Sequence, residues 1–240
     1  MNLLNLFLSA YHEVLYRPLF NGLIWLYGIL PWQDLGISII LFTIIVRFIL
    51  APLMIQGQTA QKKMAALQPQ IKKLQEQFKN DREAQSKALM ELYAQNNINP
   101  FSGCLTLLIQ LPILFAIFGV FRHVADPEQL KILYSFVHNP GSINPIAFGY
   151  FNLTKGSIYL GVPAALTQFL QTRMTLPQAP ASGGENDMAR IMTWQLQYFL
   201  PIIILITSAS LPSALAIYWT VFNVFGIVQE LIMRKMGKKI

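Results

Sequence analysis

The stretch ILFTIIVRFILAPLM, Ile40 to Met54, sets a single arginine, Arg47, inside a run otherwise fit only for hydrocarbon. The run extends from Gly36 to Gln56, and a bilayer crossing takes on the order of 20 apolar residues per helix. Arg47 lies about eleven residues in, some ~16 Å deep at the helical rise, near the bilayer centre. Facing lipid there, a guanidinium costs ~3 kcal/mol on insertion scales and more than ~10 in simulations, so Arg47 must face protein or water. Snorkelling is the rival to a hydrated cavity, although from that depth even the long arginine stem is hard pressed to reach an interface. No acidic residue stands near it in sequence.

The rest of the chain fits a membrane protein. Of 240 residues, 54% are hydrophobic and only 12% charged, far from the balance of a soluble domain. The net charge of +7 does not by itself imply nucleic acid, because lysines and arginines beside apolar spans set topology. The one cysteine, Cys104, excludes an intramolecular disulfide and a Cys-based metal cluster.

We expect an all-α polytopic fold with five spans, at Gly36 to Gln56, Phe101 to Phe121, Gly156 to Arg173, Trp194 to Ser208 and Leu211 to Leu231. The fourth is short for ~30 Å of hydrocarbon, which polar flanks or local thinning would have to make up. Residues 35–240 form the core, preceded by an N-terminal segment, 1–34. That segment carries a polar stripe of Glu13, Arg17, Asn21 and Gly28 on one helical face, beside Tyr11, Tyr16, Trp25, Tyr27 and Trp32. It reads as an amphipathic helix lying in the membrane surface; a sixth span and a cleaved signal, weakened by the missing basic start, are the rivals.

Between the first two spans lies a polar insert of 44 residues, Gly57 to Pro100, longer than a simple connection needs. Met64, Leu67, Ile71, Leu74 and Phe78 recur at gaps of three and four, and Leu89, Leu92 and Tyr93 offer a second apolar face. A helical hairpin follows, with Pro69 placed in a first turn. The Pro- and Gly-rich stretch 175–190 reads as a loop. If the hairpin is cytoplasmic, only Arg17, Arg122, Lys131 and Lys155 lie outside, and of the 18 basic residues, leaving Arg47 apart, thirteen lie inside. The positive-inside bias then sets the N-terminus outside and the C-terminus in the cytoplasm.

With that topology, Gln168, Gln171, Gln195, Gln197 and Gln229 fall in the cytoplasmic half of their spans, and Thr43, Gln110 and Asn223 near mid-depth. None of these is acidic. A cavity of amides, hydroxyls and water around Arg47, open to the cytosol, would satisfy the cation; singly, each amide serves equally well as an interhelical hydrogen bond. No phosphate loop, metal-ligand set or nucleophile elbow is present, so no catalytic residue, metal or cofactor is assigned. The lone His12, His123 and His138 read as surface residues.

Four blocks occur in order: FTIIVRFILAPL (42–53), LQPQIKKLQEQF (67–78), INPFSGCLTLLIQLPILFAIF (98–118) and LPSALAIYWTVFNVFGIVQELIM (211–233). Together they resemble the YidC/oxidase-assembly/Albino family of membrane protein insertases, in its compact bacterial form, over nearly the whole chain from about Leu35. The resemblance implies a bacterial inner-membrane protein with a hydrophilic inner-leaflet groove centred on Arg47. It assigns the nearby hydroxyl to Thr43, the substrate-facing aromatics to Tyr218 and Trp219, and the third-span polar position to Gln168 or Gln171. Implied partners are nascent membrane proteins and the lipid bilayer, with the ribosome, the signal-recognition targeting machinery and the Sec translocon beside them.

The expected mechanism is insertion without nucleotide hydrolysis. Arg47 and water ease a polar flank into the inner leaflet, while Ile113, Phe115, Tyr218 and Trp219 guide the incoming helix toward lipid. A small anion transporter or channel, and a folding holdase, are the alternatives. Solute flux in liposomes marks the first, and failure of the reconstituted protein to insert a pure substrate marks the second.

Overall fold

A computed structural model describes residues 3–99, 102–175 and 193–237. Pro100, Phe101, Lys238, Lys239 and the stretch 176–190 of the expected loop lie outside the described residues. The helices are α1 (Leu3–Tyr11), α2 (Arg17–Ile29), α3 (Leu35–Ala66), α4 (Gln68–Gln77), α5 (Arg82–Gln95), α6 (Ser102–His123), α7 (Ile158–Thr175), α8 (Leu200–Thr207) and α9 (Ala214–Gly237). Two-residue strands β1 (Ile146–Ala147) and β2 (Phe151–Asn152) pair antiparallel. Two helices, Leu35–Ala66 and Ala214–Met236, are long and apolar enough to cross a membrane. The chain divides into two compact units, Met1–Ile49 with Pro112–Ile240, and Leu50–Leu111.

In the larger unit the core is built from Phe20, Leu23, Ile24, Leu35, Ile39, Ile117, Phe121 and Tyr218, all buried. Asp34 starts α3, its Oδ1 accepting from the Ile37 N–H at 3.0 Å as an N-cap does. Its Oδ2 accepts from the Phe148 N–H at 2.6 Å, tying the strand turn to the start of the helix. Downstream, α7 and the stretch after α8 approach with almost no side chain between them. A Cβ on Gly156 would lie 2.1 Å from the Ala209 carbonyl oxygen, and one on Gly161 would lie 1.8 Å from Ser208 Oγ.

Two members of the polar stripe of the N-terminal segment, Arg17 and Asn21, turn toward protein, while Glu13 stays exposed. Asn21 is buried; its Nδ2 donates to the Ile132 carbonyl at 3.3 Å and its Oδ1 accepts from the Tyr134 N–H at 2.6 Å. Arg17 Nε donates to the same Ile132 carbonyl at 3.1 Å, and the guanidinium covers the Tyr134 ring. Tyr16 donates to Gln129 Oε1 at 2.9 Å. The segment after α6 has backbone groups that need partners, and the stripe supplies them. Gly28 takes no part, with nothing within 4 Å of a Cβ placed there.

The first apolar run ends near Ile55, yet α3 continues to Ala66, because Gln56–Ala66 holds good helix formers and polarity marks the end of the apolar run, not of the helix. Before α8, Gln195–Phe199 forms a π-helical turn in which the Leu200 N–H reaches back to the Gln195 carbonyl. Pro201, lacking an N–H, cannot continue the regular ladder there.

In the smaller unit, Leu67, Ile71 and Ile98 are buried against Met64, Leu89, Leu92 and Tyr93. Pro69 lies in the first turn of α4, and Asp81 caps α5 by accepting from the Glu83 and Ala84 N–H groups.

Candidate functional site

Arg47 is the thirteenth residue of α3, within the apolar half of that helix, and is only 3% exposed. Nε and Nη2 both donate to the Phe222 carbonyl of α9, at 3.2 and 2.6 Å. The guanidinium carbon lies 3.5 Å from the centroid of the Phe222 ring and 5.6 Å from that of Phe225. These contacts are a cation over aromatic faces plus one carbonyl. Among the described residues no carboxylate pairs with Arg47. Of its five N–H groups two share the Phe222 oxygen, which leaves three for water or for an oxygen of a ligand.

Space for the guanidinium comes from Gly226, one turn beyond Phe222. A Cβ there would lie 2.9 Å from Arg47 Nη2 and 2.7 Å from Gln171 Nε2. Arg47 of α3 and Gln171 of α7 therefore converge on the bare backbone of α9. Gln168 points elsewhere, donating to Thr172 Oγ1 at 3.0 Å on its own helix. Thr43, one turn before Arg47, is buried and donates to the Ile39 carbonyl at 2.6 Å, so its oxygen retains accepting capacity only. Asn223 is fully buried, its Nδ2 making long contacts to the Ala164 carbonyl (3.5 Å) and Thr167 Oγ1 (3.4 Å). Its Oδ1 has no hydrogen-bond partner among the described residues.

The pattern of the 60Kd inner membrane protein family matches residues 25–239, a span that contains every one of these side chains. The chain belongs to that family. It is 33% identical over 232 residues to membrane protein insertase YidC 2 of Bacillus anthracis, covering 94% of this chain and 82% of the relative. It is 31% identical over 204 residues to membrane protein insertase YidC of Fusobacterium nucleatum, covering 85% and 88%. Against the YidC insertase of Francisella tularensis subsp. novicida it is 35% identical over 200 residues, which span 83% of this chain and 32% of that longer protein.

Within this family member, the other expected residues take the following places. Tyr218, expected to face substrate, is 1% exposed and packs between Phe121 and Phe222, because its position on α9 faces the core. Ile113 is likewise buried, so of the expected guiding residues only Phe115, at 62% exposure, presents a full side chain; Trp219 is half-buried against Ala164, Ile204 and Ala216. Gln110 belongs to the smaller unit. Phe222 and Gly226 escaped the sequence reading. Their spacing of one turn, an aromatic followed by a bare position, was the available signal. Glu230, a further turn along α9, also escaped it: a buried carboxylate whose Oε1 accepts from Arg234 Nε at 2.7 Å. Arg234 also donates to the Met174 carbonyl near the end of α7.

Proposed function

We propose that the protein is a membrane insertase that moves hydrophobic segments with short hydrophilic flanks from the cytosol into the bilayer, without nucleotide hydrolysis. The relatives named above are membrane protein insertases, and membership of an inner-membrane protein family supports a bacterial inner-membrane location. The observation that carries the mechanism is Arg47: a permanent cation, buried in the protein, with unspent donors and no carboxylate paired with it among the described residues. Water from the cytosol meets those donors at rest. An acidic or polar flank of an incoming chain replaces that water, and weak screening in the enclosed site strengthens the attraction. Gln171 lies beside the guanidinium, and the unfilled acceptor of Asn223 is suited to a backbone N–H of the same flank. Burial of the incoming helix, at ~25 cal/mol per Å² of apolar surface, drives the process, and the protein lowers its barrier.

In this reading five spans cross the membrane, the N-terminus is outside, and the C-terminus and the hairpin, residues 57–100, face the cytoplasm. The hairpin meets the nascent chain, and the ribosome, the targeting machinery and the Sec translocon are partners on the same side. Protease protection of a substrate with an acidic translocated tail tests the proposal. Arg47→Ala should lower insertion by about tenfold, the scale of one charge-assisted hydrogen bond, whereas Arg47→Lys should keep much of it. Full insertion by Arg47→Ala would remove the charge-based role.

A further inference from the structure

A recess of about 330 Å³ lies within the smaller unit, between α3 and the stretch that follows α5. Lys63, Gln56, Thr59, Asn97 and Asn99 supply its polar lining, and Ile55, Ala60 and Ile98 its apolar wall. Its size is at the lower end of the ~300–1,000 Å³ typical of small-ligand sites. The lining holds one ammonium, three amides and the Thr59 hydroxyl, whose proton goes to the Ile55 carbonyl, but no carboxylate, a set suited to an anion. Asn97 holds φ at +51°, in the left-handed region that asparagine tolerates better than most residues. That backbone lets the chain turn sharply after α5.

The position narrows the ligand. Ile55 ends the apolar run of α3 and Gln56 begins its polar part, so the recess straddles the level at which the helix leaves hydrocarbon. From Gly36 to Ile55 the helix measures ~30 Å, the thickness of a bilayer's apolar core. A ligand there meets a cation and amides on one side and aliphatic carbon on the other.

We propose that the recess binds the phosphate of an anionic phospholipid of the cytoplasmic leaflet. Lys63 takes the phosphate charge, the amides of Gln56 and Asn97 donate to its oxygens, and Ile55 and Ile98 cover the glycerol end of the acyl chains. The leaflet rests on the topology proposed above; the recess and its chemistry do not. An acidic peptide would share the charge but gains little from a recess this small at the edge of the apolar run.

The test is native mass spectrometry of the full chain in detergent, titrated with phosphatidylglycerol or phosphatidylcholine. The expected result is preferential retention of one phosphatidylglycerol, weakened about tenfold by Lys63→Ala, the loss of one charge-assisted contact. Lys62→Ala, which alters a neighbouring lysine outside the lining, should leave it unchanged. Asn97→Asp, which adds a negative charge to the lining, should weaken it as Lys63→Ala does. Equal retention of the two lipids, or equal weakening by Lys62→Ala and Lys63→Ala, would overturn the proposal. So would displacement by equimolar inorganic phosphate, or capture of an acidic peptide in preference to phosphatidylglycerol. The readout involves no insertion step, so it fails independently of the insertase reading.

Discussion

At the scale of single residues, Arg47 illustrates how a buried cation is held without a counter-ion. One backbone carbonyl and two aromatic rings take part of its charge, and the remaining donors stay available. Gly226 is what allows this arrangement, since any side chain there meets the ends of Arg47 and Gln171. Both of those ends are flexible, so Gly226→Ala should be tolerated by the fold. Its thermal midpoint in detergent should stay within a few degrees of the parent, helped by a helix propensity gain of up to ~1 kcal/mol. Insertion of an acidic-tailed substrate should nevertheless fall several-fold, because the guanidinium is displaced; unchanged insertion would show that its exact placement is unimportant. Arg47 was legible from depth and charge alone. Its partners were not, because a carbonyl such as that of Phe222 becomes an acceptor for a distant side chain only through tertiary packing. Gln168 and Gln171 lie three residues apart on one helix, and only the course of α9 past Gly226 separates their surroundings.

At the scale of elements, backbone proximity and polar clamps carry the architecture. Gly156 abuts a backbone carbonyl that cannot rotate away, whereas Gly161 abuts a serine side chain. Gly156→Ala should therefore cost ~1–3 kcal/mol as overpacking does, read as a lowered thermal midpoint in detergent. Gly161→Ala should cost a similar amount, recovered in part by adding Ser208→Gly. The same second change should not rescue Gly156→Ala. Asn21→Ala would strip the Tyr134 N–H of its acceptor and the Ile132 carbonyl of one donor, at ~1–3 kcal/mol for a buried group left unmet. Faster proteolysis between residues 127 and 148 is the expected sign. The stripe of Glu13, Arg17 and Asn21 was visible as a periodicity, but a polar helical face looks the same whether water or another segment covers it. The end of α3 is hidden for a related reason: composition changes at Gln56 while helical hydrogen bonding does not.

For the whole molecule, composition, the apolar runs and the basic residues outside them place the chain in a membrane, and the family match extends over residues 25–239. What composition cannot convey is which polar side chains inside the apolar runs converge. Arg47, Gln171 and Gly226 come from three helices far apart in sequence, and Glu230 is neutralised by Arg234 within its own helix. The central claim is that cytosolic water reaches the unspent donors of Arg47. It is tested by replacing Cys104 with serine, introducing a single cysteine by Arg47→Cys, Gln171→Cys or Ile45→Cys, and applying a charged, membrane-impermeant thiol reagent from the cytosolic side. Labelling at positions 47 and 171 but not at 45, whose side chain is exposed on the apolar surface, is the predicted result. No labelling at 47 or 171 in folded protein would contradict the account.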